Sequence, residues 1–101
     1  MNTMKTKPFD PAEYLDDSDA LAVYMNEALA TEDPAFIADA LGIVARARGM
    51  SEVARLSGLS RESLYRALSP EGNPEFATIL RVVRAMGLRL STTSIDERKI
   101  A

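Results

Sequence analysis

Apolar residues recur along this chain in five runs at helical spacing, each bounded by polar or turn-forming residues. The first run is Leu21, Tyr24, Met25, Ala28 and Leu29, with Ala22, Asn26 and Glu27 on the opposite face. The second is Phe36, Ile37, Ala40, Leu41, Val44 and Ala45. Two shorter runs follow: Val53, Ala54 and Leu56, then Leu59, Leu64, Ala67 and Leu68. The last run, Phe76, Ile79, Leu80, Val82, Val83 and Met86, leaves Arg81 and Arg84 facing out. After Gly87 the spacing changes. Leu88-Arg89-Leu90-Ser91-Thr92-Thr93-Ser94-Ile95 alternates at first and is then β-branched, which predicts one short strand. A lone strand leaves its backbone donors and acceptors unpaired. It needs the N-terminal arm or a second copy of the chain beside it.

The breaks between runs carry start and stop signals. Asp16-Asp17-Ser18-Asp19 supplies capping oxygens and negative charge to a first helix that ends near Ala30. Asp33 caps the second helix, Pro34 suits its first turn, and Gly49 stops it just after Arg48. Ser51 is read as the cap of a third helix, about Ser51 to Ser57, and Ser60 as the cap of a fourth, about Arg61 to Leu68. Ser69-Pro70-Glu71-Gly72-Asn73-Pro74 is a loop by composition, held close to the end of the fourth helix. The fifth helix begins at Pro74 or Glu75 and ends at Gly87. The chain thus divides into an N-terminal arm, 1–15, with Phe9, Tyr14 and Leu15 as apolar anchors, a helical domain, 16–87, and a strand with a charged tail, 88–101.

The two short helical runs share one hinge. Gly58 permits the positive φ that a sharp turn between steeply crossed helices needs. Ala54, four residues earlier, is small enough for a close crossing, and Leu64, six residues later, fills the angle. Small, glycine and aliphatic at this spacing is the sequence form of a helix-turn-helix. A plain αα-hairpin in a bundle can show the same three residues. The outer face of the fourth helix separates the two readings: Ser60, Arg61, Glu62, Tyr65, Arg66 and Ser69 fall off its apolar stripe, and arginines, a tyrosine and small hydroxyls suit phosphates and base edges.

Composition narrows the chemistry. The chain of 101 residues has no cysteine and no histidine, which removes thiol nucleophiles, disulfides, Cys/His zinc sites and Ser-His-Asp catalysis. No nucleophile–base pair, phosphate-cradling glycine loop or metal loop is visible, so neither an enzyme nor a bound cofactor or metal is expected. No apolar run is long enough to cross a bilayer and no secretory signal opens the chain, which points to the cytoplasm. The net charge of −3 is unevenly spread. Residues 1–40 hold two lysines against nine acids, a net −7; residues 41–101 hold ten basic residues against six acids, a net +4. Phosphate attraction depends on the local face, so the basic part suits nucleic acid while the acidic part is free to serve a different, basic partner.

The strings PFDPAEYLDD, ALGIVARARGMSEVARLSGLSRESLYRALSPEGNP and FATILRVVRAMGLRL resemble the small addiction-module antidotes, HigA-like antitoxins of type II toxin–antitoxin pairs, over roughly residues 8–90. The domain is also similar to Cro/C1-type repressors, which implies an all-α, five-helix, lambda repressor-like helix-turn-helix domain followed by the short C-terminal strand. The resemblance implies a homodimer that binds double-stranded operator DNA, represses its own operon and neutralises a co-encoded RelE/HigB-like mRNA-cleaving toxin. Carried onto this chain, the reading helix would present Ser60, Arg61, Glu62, Tyr65 and Arg66 to the groove. Arg61 and Arg66 would contact phosphate or guanine. Glu62 would accept from cytosine or pair with Arg66, and Tyr65 would meet phosphate or a thymine methyl, or pack as core. Ser51 and Arg55 would meet the backbone from the preceding helix, and Asn73 from the following loop. The alternatives are a prophage-type regulator with no toxin partner and a protein-interaction module that does not touch DNA.

Overall fold

Capping chemistry fixes where the helices begin. In a computed structural model of the chain, which describes residues 17–96, the Asp17 carboxylate accepts from the Ala20 N–H at 2.8 Å and starts α1, Ser18–Ala30. The Thr31 hydroxyl donates to the Ala28 carbonyl at 2.7 Å and accepts from the Asp33 N–H at 3.1 Å, which closes α1 and sets up the next cap. Asp33 then accepts from the N–H groups of Ala35 and Phe36, with Pro34 as the first residue of α2, Pro34–Arg48. Three shorter helices complete the described part: α3, Met50–Ser57; α4, Arg61–Ala67; and α5, Phe76–Ala85.

The join between α2 and α3 differs from the sequence expectation. Ser51 does not cap α3. The helix begins at Met50, its N-cap is Gly49, and no side chain caps it. Gly49 ends one helix and starts the next: its N–H donates to the Ala45 carbonyl at 2.9 Å and its carbonyl accepts from Val53 at 3.0 Å. Met50 is drawn into the core, which leaves no room for a capping residue ahead of Ser51.

The core is one cluster to which all five helices contribute. Leu21 and Met25 from α1, Leu41 and Val44 from α2, Val53 from α3, Leu64 and Leu68 from and just beyond α4, and Val82 and Met86 from and just beyond α5 are buried together. Gly42, in mid-helix, marks the tightest crossing: a Cβ there would lie 2.6 Å from the Leu68 carbonyl oxygen. This contact seats the C-terminal end of α4 directly on α2. Several expected core residues stay exposed instead. Phe36 and Phe76 sit in the first turns of α2 and α5, away from the packed overlap, and Leu29, Leu56 and Leu80 lie at the margins of their stripes.

The predicted strand is absent. Among the described residues no strand forms, and 88–96 has no regular structure. The Leu88 N–H donates to the Val83 carbonyl at 3.1 Å, and from Arg89 to Ile95 the backbone makes no hydrogen bond with another described residue. Strand pairing needs a neighbour, and none hydrogen-bonds to this segment among the described residues. The arm expected at 1–15 and the tail after Asp96 lie outside the described residues.

Candidate nucleic-acid interface

The angle between α3 and α4 is set by the three residues Gly58, Leu59 and Ser60. Gly58 takes a left-handed conformation, φ 78°, and its N–H donates to the Ala54 carbonyl at 2.9 Å. A side chain in this region costs conformational energy that glycine does not incur. Ser57 is a pin that sequence reading passed over. Its hydroxyl is buried, accepts from the Leu59 N–H at 3.2 Å and donates to the Ala54 carbonyl at 3.4 Å. A serine directly before a glycine hinge was the available signal, because short hydroxyls bond their own local backbone. Ser60 then caps α4, accepting from the Ser63 N–H at 3.0 Å and donating to the Ser63 hydroxyl at 2.9 Å.

Leu64 on α4 is fully buried, with Leu68 one turn later, so the opposite face is turned to solvent. That face carries Arg61, Glu62, Tyr65 and Arg66, all exposed. Tyr65 is 46% exposed, which settles it as a surface residue and not core. The Arg61 guanidinium lies over its ring, 6.0 Å from centroid to Cζ, at the outer reach of a cation–π contact. The expected pairing of Glu62 with Arg66 does not form among the described residues, which leaves Glu62 as an exposed acid between two arginines.

The other predicted positions are also exposed, in different circumstances. Arg55 is clasped by Glu52 one turn earlier: Nη2 lies 2.6 Å from Oε2 and Nε 3.2 Å from Oε1. The hydrogen bond from Arg55 holds the Glu52 carboxyl below its ordinary range, and the same bond raises Arg55. Arg55 is therefore charge-compensated, and its contribution to a phosphate surface depends on exchanging partners. Ser51 is exposed on the first turn of α3. Asn73 is exposed and takes a left-handed φ of 44°, a conformation that asparagine tolerates better than most residues.

The loop brings Asn73 back to α4. Gly72 lies so close to the Arg66 and Ala67 carbonyl oxygens that a Cβ could not be inserted. Leu59, Ser63, Arg66, Ala67, Asn73 and Thr78 line one cleft. The structure thus unites Arg61 with Tyr65, and Arg66 with Asn73, while Arg55 and Ser51 stand on the neighbouring helix. Among the described residues no group of acids or other ligands could hold a metal ion.

A family model described as "Probable addiction module antidote protein" matches residues 5–94. A Haemophilus influenzae protein described as "Uncharacterized protein" is 47% identical over 87 residues, which cover 86% of this chain and 90% of that protein. No solved structure matches the chain.

Proposed function

The chain belongs to the family of addiction module antidote proteins, and from that premise we propose that it is the antitoxin of a type II toxin–antitoxin pair. In this reading it binds operator DNA as a homodimer through a Cro/C1-type helix-turn-helix formed by α3 and α4, and represses its own operon. It acts in the cytoplasm and catalyses no reaction. An antidote has a toxin as partner; the partner proposed here is a co-encoded RelE/HigB-like mRNA-cleaving enzyme.

The observation that carries the DNA part is the solvent face of α4. The helix is capped and hinged so that its buried Leu64 holds it against the core while Arg61, Tyr65 and Arg66 remain free for a groove. Arginine reads guanine or phosphate, and a tyrosine ring meets a thymine methyl or a sugar. Asn73 beside Arg66 adds a loop contact to the same backbone strand. A two-fold dimer sets its reading helices about 34 Å apart, one turn of DNA.

The toxin part rests on family membership and on charge. Residues 17–40, which make α1 and the start of α2, hold six acids and no basic residue. An RNA-cleaving partner needs a basic surface, to which this face is complementary. Co-expression with the neighbouring open reading frame tests it: the two products should co-purify, and the chain should relieve the growth arrest that its neighbour causes. Failure of both, with operator binding intact, would leave a prophage-type regulator.

A further inference from the structure

Glu62 stands where a DNA-reading helix has least use for an acid. Successive helix residues turn by about 100°, so Glu62 lies about 160° around α4 from the fully buried Leu64 and points away from the core. It belongs to the first turn of α4, the part of a reading helix that meets base edges. Neither arginine of the same face engages it. Arg61 lies over the Tyr65 ring, Arg66 lines the loop cleft, and no ion pair or hydrogen bond reaches the Glu62 side chain among the described residues. Glu52 on α3, by contrast, is held by Arg55.

An acid so placed has one good partner in a major groove. Phosphate oxygens repel a carboxylate, as do the acceptor atoms of guanine and thymine, whereas the exocyclic amino group of cytosine donates to one. Adenine also offers an amino group, but it sets the N7 acceptor beside it. We propose, on the premise that α4 reads operator DNA, that Glu62 is the specificity-determining residue of the interface. Its carboxylate accepts from the N4 amino group of a cytosine in each half-site and penalises every other base at that position. The guanine paired with that cytosine turns N7 and O6 toward the same groove, where they suit an arginine one helix position away, Arg61. An acid beside an arginine thus matches one C·G pair with an acceptor and a donor. The same acid lowers affinity for DNA in general, because wrong sequences leave it facing only negative or accepting atoms.

The full chain and its Glu62→Ala and Glu62→Gln variants are titrated at one fixed salt concentration against three kinds of duplex. These are the DNA upstream of the chain's own reading frame, a scrambled duplex, and the upstream DNA with each base pair replaced in turn. Wild type should lose roughly ten-fold or more in affinity when one C·G pair of a half-site is changed. Glu62→Ala should bind the native duplex more weakly and the scrambled duplex more tightly, and should no longer distinguish bases at that pair. Glu62→Gln, nearly the same in shape, should change the preference there to adenine, because its amide pairs with N6 and N7. Both variants should keep the helix content of wild type by circular dichroism, as the side chain is exposed. A Glu62→Ala variant that binds both duplexes more tightly by the same factor, with its base preferences intact, would overturn the proposal and leave Glu62 a general repellent of DNA. Wild type that binds native and scrambled duplexes equally would overturn the DNA-reading premise itself, and the proposal with it.

Discussion

Arg61 and Arg66 lie on the same exposed face of α4 but have different neighbours, and the difference predicts different phenotypes. Arg61 is held over the Tyr65 ring, whereas Arg66 borders the loop cleft with Asn73. If Arg66 clamps phosphate, Arg66→Ala should weaken binding to all sequences alike and reduce the salt slope by about one. If Arg61 reads guanine, Arg61→Ala should cost about 1–3 kcal/mol and relax specificity at one base pair. Titrations against the native and scrambled operator at several salt concentrations distinguish these outcomes, and unchanged affinity in both variants would refute the groove assignment. A second residue-scale expectation concerns Tyr24. Burial, and then the negative charge of Asp39, push its hydroxyl above the usual tyrosine value. The folded state therefore keeps a proton that the unfolded chain has released, and stability should fall as pH rises past about 10. Tyr24→Phe should flatten that alkaline slope in denaturant titrations. What was legible in the sequence at this scale was exposure: all eight positions expected at a DNA surface face solvent. Pairings were not. Glu52 takes Arg55 at a spacing of three, whereas Glu62 leaves Arg66 at a spacing of four. Spacing alone does not decide between rotamers on an exposed helix.

Helix starts were readable wherever a side chain does the capping, and unreadable where tertiary packing does. Asp17, Asp33 and Ser60 cap as their positions predict, because the bond is local and the residue type specifies it. Ser51 misleads because the buried Met50 side chain extends α3 back to Gly49. Ser60→Ala should therefore destabilise the fold by about 1 kcal/mol, measurable as a shift of the urea midpoint, whereas Ser51→Ala should do so by much less. Gly42 is the less visible case. A glycine amid a helical apolar run signals close packing only once its neighbour, the Leu68 carbonyl, is known. Gly42→Ala should cost about 1–3 kcal/mol through overpacking despite the better helix propensity of alanine. A gain in stability would show that α4 can retreat from α2. The strand was the one element that sequence pattern assigned and the fold withholds. Alternation reports a preference for extended backbone, but a ladder is a property of two segments.

Across the whole molecule, a −3 net charge conceals a polar division, with nine of the fifteen acids in residues 1–40 and every arginine beyond them. Charge arithmetic on the sequence showed the division, and the helix order places its acidic part at one end of the chain and the α3–α4 angle in the middle. Operator affinity should accordingly fall steeply as salt rises, while a partner bound through α1 should be released by salt as well. The irregular segment 88–96 has one more consequence. Proteases bind their substrates as outstretched peptides, and Arg89 lies exposed in a described stretch that has neither helix nor strand. Trypsin should therefore cut after Arg89 several-fold faster than after Arg81 or Arg84, which α5 holds in helical form. Cleavage there needs no unfolding, so the lifetime of the protein would depend on protease supply and not on the stability of the fold.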